Sequence, residues 1–267
     1  MSDAGFTWMT GCVWLIVISA YVIRVARHGR FRSDRVRFVG GGTVMVGADI
    51  MQATYWAIDP LVRFLVAVGA TPNIITCAAL VFGIGAGVAL LFGWFGLACL
   101  LATVSTIGDI LDGQVARVTR GGSPAGALLD SVVDRYTEFA FIAGFILFAR
   151  ESVVQVAIGL VAMLACFMIS YTSAKAEALQ VSPPRGLMRR HERAVYLIVG
   201  SGLTPLVGPL VAARWPTLPL TSIFVLGLAI VAIVGNIAAI RRLLYIKQML
   251  SVPRPIALGA DHSASPG

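Results

Sequence analysis

Residues 109–134 read Asp-Ile-Leu-Asp-Gly-Gln-Val-Ala-Arg-Val-Thr-Arg-Gly-Gly-Ser-Pro-Ala-Gly-Ala-Leu-Leu-Asp-Ser-Val-Val-Asp. Asp109 and Asp112 are three positions apart and Asp130 and Asp134 are four apart, so each pair shares one helix face. The surrounding sequence is strongly apolar, and ionised groups at membrane depth are costly unless a partner compensates their charge. A divalent cation with oxygen ligands keeps all four carboxylates ionised. The stretch therefore predicts a metal site formed by these four aspartates in a helical membrane protein.

The composition of the whole chain also indicates a membrane protein. Its 267 residues are 58% hydrophobic and 13% charged, with a mean hydropathy of +0.86. A soluble domain carries about 25% charged residues, so this deficit excludes a soluble globular protein. The net charge of +8 is compatible with nucleic-acid binding. Because the cations cluster at the ends of apolar runs, a role in membrane orientation is the better interpretation.

Seven apolar runs of the sequence are long enough to cross the bilayer, which needs about 20 residues as a helix. They span 6–25, 72–92, 96–118, 126–148, 153–178, 192–212 and 217–239. The third and fourth runs carry the acidic stretch and are less apolar than the others. Because a lipid-embedded backbone must satisfy its own hydrogen bonds, we predict an all-α, polytopic membrane helix bundle.

The distribution of Lys and Arg predicts the orientation of this bundle, since cytoplasmic ends carry most of these residues. One side holds Arg24, Arg27, Arg30, Arg32, Arg35, Arg37, Arg117, Arg120, Arg185, Arg189, Arg190, Arg193, Arg241, Arg242 and Lys247, and the other side holds Arg150 and Arg214. We therefore expect an integral protein of the cell (inner) membrane with its N-terminus outside. The acidic stretch then faces the cytoplasm.

Two segments outside the apolar runs mark the organisation of the chain. Residues 48–68 include Tyr55 and Trp56 among broken apolar positions, which is typical of a helix lying in the membrane interface. Residues 251–267 are rich in Pro, Ser, Gly and Ala, and we expect a disordered tail there. The chain thus divides into an N-terminal helix with a basic linker at 1–47, a main domain at 48–250, and the tail.

Small residues and a turn lie between and beside the acidic pairs. Residues 119–124 read Thr-Arg-Gly-Gly-Ser-Pro, a turn signal that makes the two acidic helices antiparallel neighbours. Gly113, Ala116 and Gly126 leave room either for a substrate or for close helix packing. Arg117 is either a phosphate ligand or a structural counter-ion.

The spacing Asp-x-x-Asp-Gly-x-x-Ala-Arg, eight residues, Gly-x-x-x-Asp-x-x-x-Asp resembles the signature of the CDP-alcohol phosphotransferase family without one departure. The resemblance extends to Thr71-Pro72-Asn73 at the start of the second run and covers roughly residues 48–240. It implies a six-helix family core preceded by an interfacial helix. The first run, 6–25, is then one extra N-terminal transmembrane helix.

The resemblance implies an enzyme of phospholipid biosynthesis that transfers a phosphatidyl or related phospho-alcohol group from a CDP-linked lipid donor to a polar alcohol and releases CMP. Asp109, Asp112 and Asp130 would hold two ions of Mg²⁺ or Mn²⁺. Asp134 would be the general base and would also touch a metal. The CDP part of the donor would bind at Gly113, Ala116, Arg117 and Gly126. Family members are usually homodimers.

A second polar cluster bears on the acceptor. Residues 170–177 read Ser-Tyr-Thr-Ser-Ala-Lys-Ala-Glu, and residues 189–193 read Arg-Arg-His-Glu-Arg. They resemble a region of phosphatidylinositol phosphate synthase-like members that reads Ser-Tyr-x-Lys-Ala-Arg-Ala-Glu and then Arg-Pro-Glu-Arg. Its cations receive the phosphate of inositol phosphate. Here Ser173 stands at the Lys position, Lys175 at the Arg position and His191 at the Pro position.

We expect Lys175, Arg190 and Arg193 to form an acceptor-phosphate site, with an inositol phosphate-like acceptor preferred. A positive-inside loop without a ligand is the alternative. Glycerol phosphate or serine remain alternative acceptors. More distant alternatives are an intramembrane prenyltransferase, which normally carries two Asp-rich motifs, and a cation transporter, which often shows inverted repeats. The sequence has one compact acidic block and no visible repeat.

Overall fold

The apolar runs fold into helices, as a lipid-embedded backbone requires. The computed structural model describes residues 2–29, 48–182 and 188–251. Within these residues there are eight helices and no strand, which confirms the all-α prediction. They are α1 (Asp3–His28), α2 (Ala48–Ala67), α3 (Pro72–Leu91), α4 (Phe95–Val118), α5 (Pro124–Phe148), α6 (Val153–Ala178), α7 (Arg190–Arg214) and α8 (Ser222–Ser251). Most of the predicted basic linker up to residue 47 lies outside the described residues, and so do residues 252–267 of the predicted tail.

Six of the described helices are long and apolar enough to span a membrane: α1, α3, α4, α6, α7 and α8. The fourth predicted span, 126–148, is not among these six. Its helix, α5, is long enough at 25 residues, but it carries Asp130, Asp134, Arg135 and Glu138. Its charges belong to the polar site described below, so it lacks a fully apolar window. The helix predicted at 48–68 is present as α2.

Side-chain caps fix where α3 and α5 begin. Thr71 Oγ1 accepts a hydrogen bond from the Ile74 amide, and Ser123 Oγ accepts one from the Gly126 amide. Each cap is followed by a proline in the first turn, where no amide donor is needed. Because these caps fix where each helix begins, they also fix the height of Thr76 on α3 and of Asp130 and Asp134 on α5.

Helix α3 lies between the two acidic helices. It packs along both α4 and α5, and glycines allow the α3–α5 crossing. A Cβ on Gly87 would clash with the Ala140 carbonyl, and a Cβ on Gly144 would clash with the Gly87 carbonyl. The sequence predicted α4 and α5 as antiparallel neighbours, and their aspartates do meet. Along most of their length, however, α3 lies between the two helices.

A buried aromatic cluster forms the apolar core at the other end of the bundle. Phe145 and Phe224 have ring centroids 4.7 Å apart, and Phe95 lies 5.6 Å from Phe224. Phe95 precedes Asp109 by almost four turns of α4, about 20 Å at the normal helical rise. The polar site is thus separated along the helix axis from the main apolar core.

Helix α1 is attached to the bundle by specific contacts near both of its ends. Asp3 Oδ1 accepts hydrogen bonds of 2.8 and 3.1 Å from the amides of Gly96 and Leu97, which begin α4. Tyr21 packs against Trp56 of α2 with ring centroids 5.9 Å apart. Most of the helix surface between these contacts is exposed, as expected for a helix at the edge of a bundle that faces lipid.

Candidate active site

Three of the four aspartates converge from α4 and α5. One carboxylate oxygen each of Asp109, Asp112 and Asp130 lies within 4.8 Å of the others. Asp112 is 5% exposed, and the Thr76 hydroxyl of α3 donates a 2.5 Å hydrogen bond to its Oδ2. Asp130 Oδ1 is buried and has no hydrogen-bond partner. Clustered carboxylates with an unsatisfied buried oxygen are a donor set that suits Mg²⁺ or Mn²⁺.

Asp134 lies beside this group of three rather than within it, and Arg190 connects the two. Arg190 Nη1 donates to both carboxylate oxygens of Asp109 at 2.8 Å, while its Nη2 forms an ion pair with Asp134. The first residue of α7 thus bridges α4 and α5. Arg190 was expected at an acceptor-phosphate site, and the structure places it at the border of the acidic cluster.

Arg193, one turn further along α7, is held by protein groups. Its Nε and Nη2 donate to the two oxygens of Glu138 at 2.7 and 3.1 Å, and its Nη1 donates to the Met188 carbonyl at 3.0 Å. Arg193 is only 2% exposed, so this bidentate pair neutralises a buried charge. Glu138 was not among the residues predicted for the site, although it lies one turn beyond Asp134.

A basic cavity of about 210 Å³ is lined by Asp134 but by none of the cluster of three. Its polar lining includes Asp134, Ser173, Arg189, Arg190, Arg193 and Arg242. Arg189 was predicted as part of the polar cluster at 189–193 but not as a phosphate ligand, and Arg242 was predicted only as a cation that sets membrane orientation. Lys175, in contrast, is exposed with its ammonium 5.9 Å from the Tyr171 ring. The structure does not bring Lys175 into the cavity.

Small residues flank the acidic cluster. Gly113 and Ala116 follow Asp109 by four and seven positions, so they lie on the same face of α4. Gly126 lies one turn before Asp130 on α5, where a Cβ would come within 3.3 Å of Asn73 Oδ1. Arg117 is exposed at the end of α4. This strip leaves the backbone accessible beside the carboxylates.

An apolar cavity of about 390 Å³ also reaches the acidic cluster. Its walls come from α1, α2, α4 and α7, and they include Trp14, Ile18, Met51 and Ile107. Asp109 is the member of the acidic cluster that lines it. The site therefore has a central acidic cluster, one basic neighbouring cavity and one apolar neighbouring cavity.

Residues 69–240 match the family model of the CDP-alcohol phosphatidyltransferases. The chain belongs to this family. It is therefore a membrane enzyme of phospholipid synthesis that transfers a phosphatidyl group, and neither the prenyltransferase nor the transporter alternative is supported. Helices α1 and α2 precede the matched region, which begins in the connection to α3.

Similar proteins with a known function agree with this family assignment. The phosphatidylinositol phosphate synthase of Corynebacterium glutamicum is 33% identical over 167 residues, covering 60% of this chain and 75% of that protein. Its counterpart in Mycolicibacterium smegmatis is 32% identical over 165 residues, covering 58% and 74%.

Solved structures show the same helical fold. The Mycobacterium tuberculosis phosphatidylinositol phosphate synthase with CDP-DAG bound has a TM-score of 0.60 at 25% identity, covering 70% of this chain and 92% of that chain. The complex of that enzyme with manganese and citrate has a TM-score of 0.62 at 24% identity, covering 73% and 92%.

Proposed function

We propose that this CDP-alcohol phosphatidyltransferase uses a CDP-diacylglycerol-like donor and a phosphorylated cyclitol, such as inositol phosphate, as acceptor. The observation that carries the proposal is the junction of three environments at one point. The acidic cluster meets an apolar cavity at Asp109 and a basic cavity at Asp134. A lipid-linked pyrophosphate and an anionic alcohol have chemistry that complements these two cavities.

Asp109, Asp112 and Asp130 would hold the divalent cations, Mg²⁺ or Mn²⁺, and Asp134 would lie at their edge. The unpartnered buried oxygen of Asp130 supports this assignment, as does the manganese in the relative's structure. Bound cations would neutralise charge on the donor pyrophosphate. Thr76 orients Asp112 through its hydrogen bond, and Arg190 orients Asp109.

The donor would lie along the strip of small residues. Gly113, Ala116 and Gly126 leave space for the CDP group against the helices, and Arg117 would provide a cation for a phosphate. The acyl chains would lie in the apolar cavity that Asp109 also lines. In the M. tuberculosis enzyme CDP-DAG is the bound molecule, which supports a donor of this class.

Asp134 would act as the general base. It borders the basic cavity, so an acceptor held there presents its hydroxyl to this carboxylate. The hydroxyl oxygen attacks the phosphorus that carries diacylglycerol, and the bond from that phosphorus to the CMP oxygen breaks. The hydroxyl proton passes to an Asp134 oxygen, and the products are CMP and the phosphatidylated acceptor.

The cell-membrane orientation and the assembly state also remain proposals. The described cations at the site end include Arg24, Arg27, Arg241 and Lys247, whereas Arg150 and Arg214 lie at the other end. This asymmetry supports an N-terminus outside and a site that opens to the cytoplasm. We also propose that the chain is divided into segments 1–47, 48–250 and 251–267 and that it forms a homodimer.

The acceptor is tested by CMP release from CDP-diacylglycerol with the purified full chain. We expect the highest rate with inositol phosphate, lower rates with glycerol phosphate, serine and unphosphorylated inositol, and loss of activity when a chelator removes Mg²⁺ or Mn²⁺. Equal rates with phosphorylated and unphosphorylated acceptors would rule out the phosphate preference. Release of no CMP with any acceptor would contradict the reaction.

The general base is tested in the same assay with Asp134→Asn. We expect turnover to fall by about 10²- to 10⁴-fold, the usual contribution of a positioned base. Mn²⁺ binding, measured by calorimetry, should largely persist because the cluster of three is intact. Asp59→Asn is the control, since Asp59 pairs with Arg63 on the exposed surface of α2. Near-normal turnover of Asp134→Asn would exclude this role.

A further inference from the structure

We infer that a third, smaller cavity beside Asp134 binds ordered water molecules, and that these waters, held by Thr137, position the Asp134 carboxylate. The inference rests on the proposed function, because it concerns the residue proposed as the general base. The cavity has a volume of about 70 Å³, and its walls come from α3, α4, α5 and α7. We call it the hydroxyl cavity, because its polar lining consists of Ser105, Thr106, Asp134, Thr137, Glu138 and Arg190.

The hydroxyl cavity adjoins the two larger cavities but differs from both. It shares Thr106 with the apolar cavity and Asp134 with the basic cavity. Ser105 and Thr137 line neither of those two. The donor and acceptor sites proposed above therefore give these two hydroxyls no role.

The size and the lining of the hydroxyl cavity favour water. One water molecule needs about 10–15 Å³ of accessible space and two to four polar partners, so there is room for several. The hydroxyls of Thr106 and Thr137 each donate a 2.9 Å hydrogen bond to a carbonyl of their own helix, at Ala102 and Val133. Since their protons are engaged in this way, their oxygens are left to accept hydrogen bonds from water.

The buried carboxylate of Asp134 needs such donors. Asp134 is only 8% exposed, and its Oδ1 has no hydrogen-bond partner among the described residues. Arg190 forms an ion pair with this oxygen, but an ionised carboxylate has about four acceptor positions. Leaving them unused in a buried place is costly. A water in the hydroxyl cavity satisfies one of them.

One water molecule connects the two groups, because it has two hydrogens to donate. One hydrogen goes to Asp134 Oδ1 and the other to Thr137 Oγ1, which lies one turn further along the same face of α5. Such a bridge is nearly as favourable as a direct hydrogen bond. It restricts rotation of the carboxylate, so that the acceptor hydroxyl meets a prealigned base. Thr137 is thus a positioning residue that acts through water.

The first test is the kinetics of CMP release by Thr137→Val, which removes the hydroxyl and keeps the shape of the side chain. We expect kcat to fall about three- to tenfold, the loss typical of one hydrogen bond. The KM values for CDP-diacylglycerol and inositol phosphate should stay near those of the wild type. Thr204→Val is the matched control, since the Thr204 hydroxyl is also buried, donates to a carbonyl of its own helix at 2.8 Å and lines none of the three cavities.

Thr137→Ser separates water binding from packing. The Thr137 methyl group packs against α3, because a Cβ on Gly83 would clash with Thr137 Cγ2. If packing were the role of Thr137, the serine variant, which lacks this methyl group, would lose more activity than the valine variant. Water binding gives the reverse order, with most of kcat retained by Thr137→Ser. A wild-type kcat in Thr137→Val, or a greater loss in Thr137→Ser, overturns the inference.

The second test needs no variant and no turnover. A crystal or cryo-EM structure of the full wild-type chain that shows ordered water should contain a water within hydrogen-bond distance of both Asp134 Oδ1 and Thr137 Oγ1. A dry hydroxyl cavity overturns the inference. Failure of the wild-type chain to release CMP would instead contradict the proposed function, and the two failures are distinguishable because water density does not depend on activity.

Discussion

At the residue scale, two arginines one turn apart on α7 are paired with acids from different helices. Arg190 joins Asp109 to Asp134, whereas Arg193 is paired with Glu138. The spacing of the aspartates predicted their convergence, because each pair shares a helix face. No local pattern predicted the partners Glu138 or Arg242. Their contacts depend on how α5, α7 and α8 are rotated against each other, over separations of 55 and 69 residues.

The buried Glu138–Arg193 pair gives a stability prediction. Glu138→Gln leaves the Arg193 charge buried without its counter-ion, and breaking a buried pair costs about 3–5 kcal/mol. We expect a clearly lower melting temperature in detergent. Glu151→Gln at an exposed position is the control and should melt like the wild type. A Glu138→Gln protein with an unaltered melting temperature would show that the pair contributes little.

At the element scale, the sequence predicted the positions of the helices along the chain more accurately than which helices pack against each other. Helix α2 was expected at 48–68 and spans Ala48–Ala67, because aromatic residues and polar breaks mark its extent. The position of α3 between α4 and α5 was missed. It depends on which glycines of different helices meet, and Gly87 and Gly144 are far apart in the sequence.

The α3–α5 crossing predicts an unequal response of two glycines on the same helix. Gly87→Ala forces a Cβ against the Ala140 carbonyl, and such overpacking costs about 1–3 kcal/mol. Gly85→Ala should be tolerated, because its Cβ meets only Leu101 Cδ1 at 3.5 Å. We expect both the melting temperature and the rate of CMP release to fall for Gly87→Ala, and neither to fall for Gly85→Ala. Equal behaviour of the two variants would refute the tight crossing.

At the scale of the whole molecule, α1, one of the two helices that precede the matched family region, lines a cavity of the candidate site. Trp14 and Ile18 of α1 form part of the wall of the apolar cavity that Asp109 also lines. From the sequence, α1 was predicted only as one extra transmembrane helix beside the family core. The sequence of α1 is apolar throughout and does not indicate which face lines a cavity. That face is determined by the packing of α1 against α4 and α7.

This wall predicts that α1 affects the choice of donor. Ile18→Trp narrows the cavity, so kcat/KM for dioleoyl CDP-diacylglycerol should fall severalfold while the dioctanoyl donor is largely spared. Ile16→Trp places the same ring at a position that is 67% exposed and should change neither value. A donor-independent effect of Ile18→Trp, or an equal effect of the two variants, would contradict acyl chains in this cavity.

The bridge made by Arg190 has a consequence for the energetics of turnover. One guanidinium fixes a proposed metal ligand on α4 and the proposed base on α5 relative to each other. The two carboxylates are thereby prealigned, and little reorganisation remains for the reacting complex. The entropy lost in ordering them is incurred once, when the chain folds, instead of in every catalytic cycle.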